Sequence, residues 1–163
     1  MNRAILLGSI TFGLPAVACR QPTTELPQAH AEAIRDSIRT VSDHFRRLSS
    51  NAQWDSLGAM YSDAPGFRFL ESGSVQYATA GALRAALAQL PSGVSLTTTY
   101  RDLDVDPVRP GVAVMSALFE TTFRDSAGPQ FSFGGAVTVL WVHETDGWRI
   151  RGGHSSAPVP RGP

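Results

Sequence analysis

Residues 131–156 read FSFGGAVTVLWVHETDGWRIRGGHSS, two apolar runs on either side of the polar tetrad Glu144-Thr145-Asp146-Gly147. A turn that closes in Asp-Gly between such arms is a strong signal for an antiparallel hairpin. In the second arm the two-residue period of a strand puts Trp148, Ile150, Gly152 and His154 on one face and Arg149, Arg151 and Gly153 on the other. An amphipathic arm that ends in an inward histidine predicts a sheet lining an interior. Gly134-Gly135 in the first arm weakens a regular strand and predicts a bulge that curves the sheet.

The rest of the 163 residues must supply the layer that covers this sheet, and they suffice for one domain once the front segment is set aside. A hydrophobic fraction of 42% with 17% charged residues suits a packed core. Fourteen Arg balance fourteen Asp plus Glu, so no basic face is expected for nucleic acid. There is no Lys, which excludes both a Schiff-base lysine and a phosphate-loop lysine. His30, His44, His143 and His154 are scattered without metal-ligand spacing, and neither a glycine-rich phosphate loop nor a G-x-S-x-G elbow occurs. No cofactor and no metal is expected.

At the front, Asn2 and Arg3 precede an apolar run over residues 4–14, followed by Ala16-Val17-Ala18-Cys19. A short apolar run ending in small residues marks a secretory signal peptide, too short to span a membrane. Ala-Val-Ala before a cysteine resembles a bacterial lipobox, although Ala16 stands where leucine is usual. The expected organisation is a signal peptide over 1–18, a lipid-anchor tether over 19–27 with Cys19 lipidated, a domain over 28–156 and a flexible tail over 157–163. The expected location is the cell envelope, membrane-anchored through Cys19, with a soluble periplasmic or secreted protein as the alternative. Cys19 is the only cysteine, so the domain has no disulfide and no thiol nucleophile.

Along the domain, Ile34, Ile38, Val41, Phe45 and Leu48 recur at helical steps and predict a helix over 28–49. A short helix follows over 54–61, a strand over 67–70 and a third helix over 80–90 that Thr79 can cap. Long strands occupy residues 94–105, 112–124 and the final hairpin. Helices first and a strand meander last predict an α+β domain, with three N-terminal helices covering a strongly curved, mostly antiparallel sheet.

Trp54-Asp55-Ser56-Leu57, Met60-Tyr61-Ser62-Asp63-Ala64-Pro65, Gly147-Trp148-Arg149-Ile150 and His154-Ser155-Ser156 resemble the SnoaL-like domains of the nuclear transport factor 2-like superfamily, over about residues 34–156. The resemblance implies a cone-shaped fold, shared with ketosteroid isomerases, whose pocket lies between the helices and the concave sheet. Trp54, Tyr61, Phe69, Tyr100, Phe119, Glu120 and Trp141 are candidates to line it. Glu71 falls near the place of the isomerases' catalytic carboxylate, and His154 could act beside it as general base or proton donor. Each also has a plain reading: Glu71 as a solvated turn acid, His154 as a structural imidazole, Glu120 as a solvent-face residue of its strand, and the aromatic residues as core. Phe45 stands where the isomerases place an oxyanion-donating tyrosine, which argues against steroid isomerase activity.

Two functions follow as expectations. One is a lipid-anchored module binding a small apolar ligand or a protein partner, with a homodimer through the open sheet face as a further expectation. The alternative is a cofactor-free isomerase or lyase acting on a small carbonyl compound, with Glu71 or His154 as proton shuttle.

Overall fold

The computed structural model describes residues 26–157 apart from 92, 127 and 129. The signal peptide, Cys19, nearly all of the tether and all of the tail beyond 157 lie outside the described residues. The elements run α1 (Gln28–Ser50), α2 (Trp54–Gly58), β1 (Arg68–Glu71), β2 (Ser74–Tyr77), α3 (Ala80–Leu87), β3 (Val94–Arg109), β4 (Val112–Asp125), β5 (Gln130–Glu144) and β6 (Gly147–Ser156). The expected α+β architecture is what forms. α2 is shorter than its apolar pattern suggested, and β2 is an added strand between the expected strand and α3. Thr79 caps α3 as its position implied, its Oγ1 accepting from the Ala82 amide at 3.1 Å.

The six strands form one sheet in the order β2-β1-β6-β5-β4-β3, antiparallel throughout except for the parallel pair β1 and β6. The expected bulge at Gly134-Gly135 does not occur. β4 and β5 stay in unbroken register through Glu120↔Gly134 and Phe119↔Gly135. These glycines instead allow close backbone approach: a Cβ on Gly135 would lie 1.9 Å from the Ser156 carbonyl oxygen. The register breaks elsewhere, between Arg101 and Asp104 in β3 and at Leu140/Trp141 in β5, where Trp141 faces Ile150 but Leu140 faces Gly152. Arg151 is therefore the extra residue of a bulge in β6.

One face of the sheet carries the core. Trp141, Met115, Ala113, Val105 and Ile150 are buried there against Ile38 and Leu48 of α1, Leu57 of α2 and Leu83 of α3. The expected α1 stripe makes this contact, with Ile34, Val41 and Phe45 packed around it. α1 also seals the free edge of β3. Ser49 Oγ donates to the Leu96 carbonyl at 3.0 Å and Arg46 Nη1 to the Thr98 carbonyl at 3.2 Å, which satisfies groups that could otherwise pair with another chain.

Trp141, 1% exposed, is the largest side chain sealed in this core. Trp148 is only half-buried, at the end of the sheet. Truncating Trp141 to alanine should cost about 3–5 kcal/mol, a large part of the roughly 5–15 kcal/mol that holds a domain of this size together. Urea unfolding checks this, with Leu140→Ala, whose leucine lies on the opposite face and is 37% exposed, expected to lose far less.

Candidate functional site

The segment after α2 is held on the sheet by backbone pairing. The Ile150 amide donates to the Met60 carbonyl and the Ser62 amide to the Ile150 carbonyl, both at 2.8 Å. Ser62, itself buried, donates from Oγ to Glu144 Oε1 at 2.6 Å. These bonds fix Tyr61 between β6 and the helices. Its ring meets Phe45 edge-on at 6.1 Å and Phe67 at 5.9 Å.

Tyr100 lies on β3 opposite Phe119 of β4, and Tyr77 ends β2 opposite Phe69 of β1. The Arg46 guanidinium sits 5.5 Å from the centre of the Tyr100 ring. Burial holds the Tyr61 phenol well above the ordinary tyrosine range, and the nearby Tyr100 and Tyr77 phenols raise it further. Tyr100 is also raised, chiefly by burial, with Arg46 opposing and Asp43 adding to the shift. Tyr61 and Tyr100 are thus neutral hydrogen-bond donors at physiological pH, with Tyr77 beside them. Among the described residues none of the three hydroxyls makes a side-chain hydrogen bond.

The concave face divides into two parts. Its inner part is filled by Trp141, Met115, Ile38 and Phe67. Toward the other part, Phe45, Phe69, Tyr77, Tyr100 and Phe119 are half-buried. Three of the candidate pocket residues, Tyr61, Phe69 and Tyr100, therefore contribute to one aromatic wall, while Phe119, opposite Tyr100, meets Phe133 edge-on at 6.2 Å. Trp141 is core and not pocket lining. Trp54 is half-buried against the same core from α2.

Glu120 points the other way. It is exposed, shares the outer face of β4 with Leu118, and borders an open groove of about 790 Å³ together with Arg101 and Ser156. Its neighbour Thr121 takes the inner side, buried and bonded to Thr98 through their Oγ1 atoms at 2.8 Å. Strand alternation makes this inevitable once Met115 and Ala117 are inside.

His154 is the main correction. The strand period put it inward with Trp148 and Ile150, but the extra residue at Arg151 inverts the alternation beyond Ile150. His154 pairs with Thr138 and Leu70 on the outer face and is exposed. Gly153 takes the inner side, where a Cβ would lie 3.0 Å from the Phe69 ring. Glu71 shares the Phe69 face of β1 but is exposed at its end, paired with Ser74 and Ser155. The two candidate proton carriers are thus directed to opposite faces of the sheet. Tyr77 joins Tyr61 and Tyr100. Nothing local marks it, because its partners Tyr61 and Tyr100 come from distant elements. Among the described residues no three His, Asp or Glu side chains gather to hold a metal ion.

The raised Tyr61 pKa has a consequence with a definite sign. In the unfolded chain tyrosine ionises near 10, whereas the folded protein keeps Tyr61 protonated there, so the unfolded state binds fewer protons at alkaline pH. Below about pH 9 the phenol is neutral in both states and the term vanishes; above about 10 stability falls as pH rises. Tyr61→Phe should lessen this alkaline loss, read as a shallower fall of melting temperature between pH 9 and 11 than in the parent.

Solved structures share this architecture at low sequence identity. A candidate scytalone dehydratase from Novosphingobium aromaticivorans superposes with a TM-score of 0.73 at 10% identity, over 82% of this chain and 89% of that one. A candidate dehydratase of the nuclear transport factor 2-like family from Streptomyces avermitilis gives 0.67 at 14% identity, over 78% and 98%. The beta subunit of benzoate 1,2-dioxygenase from Burkholderia mallei gives 0.63 at 12% identity, over 74% and 88%. No curated protein matches the sequence. Residues 38–160 match the SnoaL-like domain family, a span that takes in every described strand and the second half of α1. The chain therefore belongs to the SnoaL-like domain family, with the fold of nuclear transport factor 2-like proteins.

Proposed function

We propose that this chain is an exported, lipid-anchored SnoaL-like domain that binds a small apolar molecule against the aromatic wall of its concave face and does not transform it. The observation that carries this reading is the cluster of Tyr61, Tyr77 and Tyr100 beside Phe45 and Phe69. Ring faces supply apolar contact and neutral phenols supply hydrogen bonds that orient a polar tip, the usual make-up of a small-molecule site. No carboxylate or imidazole is among these residues. The alternative, an isomerase or lyase, requires a proton carrier beside the bound carbonyl. Glu71 stands at the rim and His154 on the opposite face, which argues for binding alone.

The test uses 1-naphthol as a probe with an aromatic body and one hydroxyl. Tyr100→Ala should weaken its binding strongly, and Tyr61→Phe, which removes one hydrogen bond, by about 0.5–1.5 kcal/mol. His154→Gln should leave it unchanged. Equal affinity in parent and Tyr100→Ala would refute the assignment of the wall, and turnover of a carbonyl substrate abolished by Glu71→Gln would refute the non-catalytic reading.

The anchoring rests on residues 4–19 alone. Among the described residues no helix is long and apolar enough to cross a membrane, so attachment would depend on lipid at Cys19. Expressed in a bacterial host, the parent should fractionate with membranes and Cys19→Ser should not; an unchanged membrane fraction would remove the anchor from the proposal.

A further inference from the structure

The bulge at Arg151 that turns His154 outward also assembles a groove on the outer sheet face, away from the aromatic wall. Gly66, Arg68, Leu70, Thr138, Leu140 and the 151–154 stretch of β6 line it, enclosing about 440 Å³. Arg68, Arg151 and His154 bring two guanidinium groups and an imidazole to it, and no carboxylate is among its lining residues. Four other arginines have acidic partners: Arg39 with Asp36, Arg46 with Asp43, Arg84 with Asp63 and Arg149 with Asp146. Among the described residues neither Arg68 nor Arg151 has an acidic partner.

Arg151 is fixed in place. Its Nη2 donates to the Pro65 carbonyl, in the turn that leads into β1. Its Nη1 is sealed from solvent without a protein acceptor, the kind of buried donor that native proteins seldom leave unmatched. Gly152, the next residue, has no side chain to obstruct the groove floor, since a Cβ there would lie 2.7 Å from the Arg68 carbonyl oxygen. Leu70 and Leu140, each 37% exposed, flank the basic groups with apolar surface. Thr138 adds a hydroxyl on the same face, opposite His154.

We propose that this groove binds a small carboxylate carrying an apolar chain. A guanidinium fork matches a carboxylate in geometry and charge, and the two leucines offer the chain a surface on which to lie. A bare anion would leave the leucines uncovered, and a neutral amphiphile would leave the arginines unanswered.

Octanoate serves as the probe, titrated into the full chain by calorimetry, with acetate, inorganic phosphate and 1-octanol as comparisons. Octanoate should bind saturably and shift the amide signals of Thr138 and His154, with the signals of Tyr61 and Tyr100 unmoved. The three comparison molecules should each bind at least about tenfold more weakly, because each lacks either the charge-assisted hydrogen bonds or the apolar contact. Arg68→Gln should weaken octanoate by about tenfold or more. Among the described residues the Arg68 side chain makes no hydrogen bond or ion pair, so this variant stays informative if Arg151→Gln fails to fold. Octanol binding as well as octanoate, phosphate binding as well as octanoate, an unchanged affinity in Arg68→Gln, or shifts confined to Tyr61 and Tyr100 would each overturn the proposal. So would a chain that sediments as a dimer whose formation excludes octanoate, which would assign this face to a second copy.

Discussion

One inserted residue governs the functional geography of this domain. β6 is a hub of the sheet, pairing with β5 along one edge and with β1 and the Met60–Ser62 segment along the other. Arg151 interrupts its alternation, so Ile150 is buried while His154 four residues later is exposed. A regular strand would place both on one side, because the side-chain period of a strand is two. The bulge thereby removes an imidazole from the Phe69 side of the sheet and puts Gly153 there in its place.

The second dependence is the attachment of residues 60–62 to Ile150. Two backbone bonds hold a segment that belongs to no named strand, and through it Tyr61 reaches the interior. Ser62 and Glu144 lock the same segment to the end of β5, and Arg84 of α3 reaches the Tyr61 carbonyl from the other side at 3.5 Å. Gly58 makes room for that arginine, since a Cβ there would lie 2.9 Å from Arg84 Cγ. α2, α3 and the sheet thus meet around Tyr61. The burial that raises its pKa is a consequence of this convergence, and so is its capacity to donate a hydrogen bond at any physiological pH.

The two faces of the sheet consequently carry different chemistry. The concave face offers rings and neutral hydroxyls, and its deeper part is closed by Trp141 and Met115. The outer face offers cations and leucines without a covering layer. Charge balance over the whole chain conceals this, because a net charge does not record where each charge falls.

Composition, periodicity and turn chemistry determined the fold class. The stripe from Ile34 to Leu48 is α1, Thr79 caps α3, and Asp146-Gly147 closes the last hairpin, because each depends on a local period or a local dihedral preference. Local periods do not single out Tyr61, Tyr100, Phe69 and Phe119; their candidacy as pocket residues rests on the family resemblance. The facing of His154 was decided in three dimensions. Gly152-Gly153 carried the same bulge signature in sequence as Gly134-Gly135, yet only the first pair adjoins a register shift. The difference lies in what each pair packs against, Arg68 and Phe69 in one case and Phe119 and Ser156 in the other. The meeting of Tyr77 with Tyr61 and Tyr100, and of Arg68 with Arg151, likewise joins residues from distant elements. No local period encodes such pairs; they exist only once β1 has docked in parallel on β6 and α1 has closed over β3.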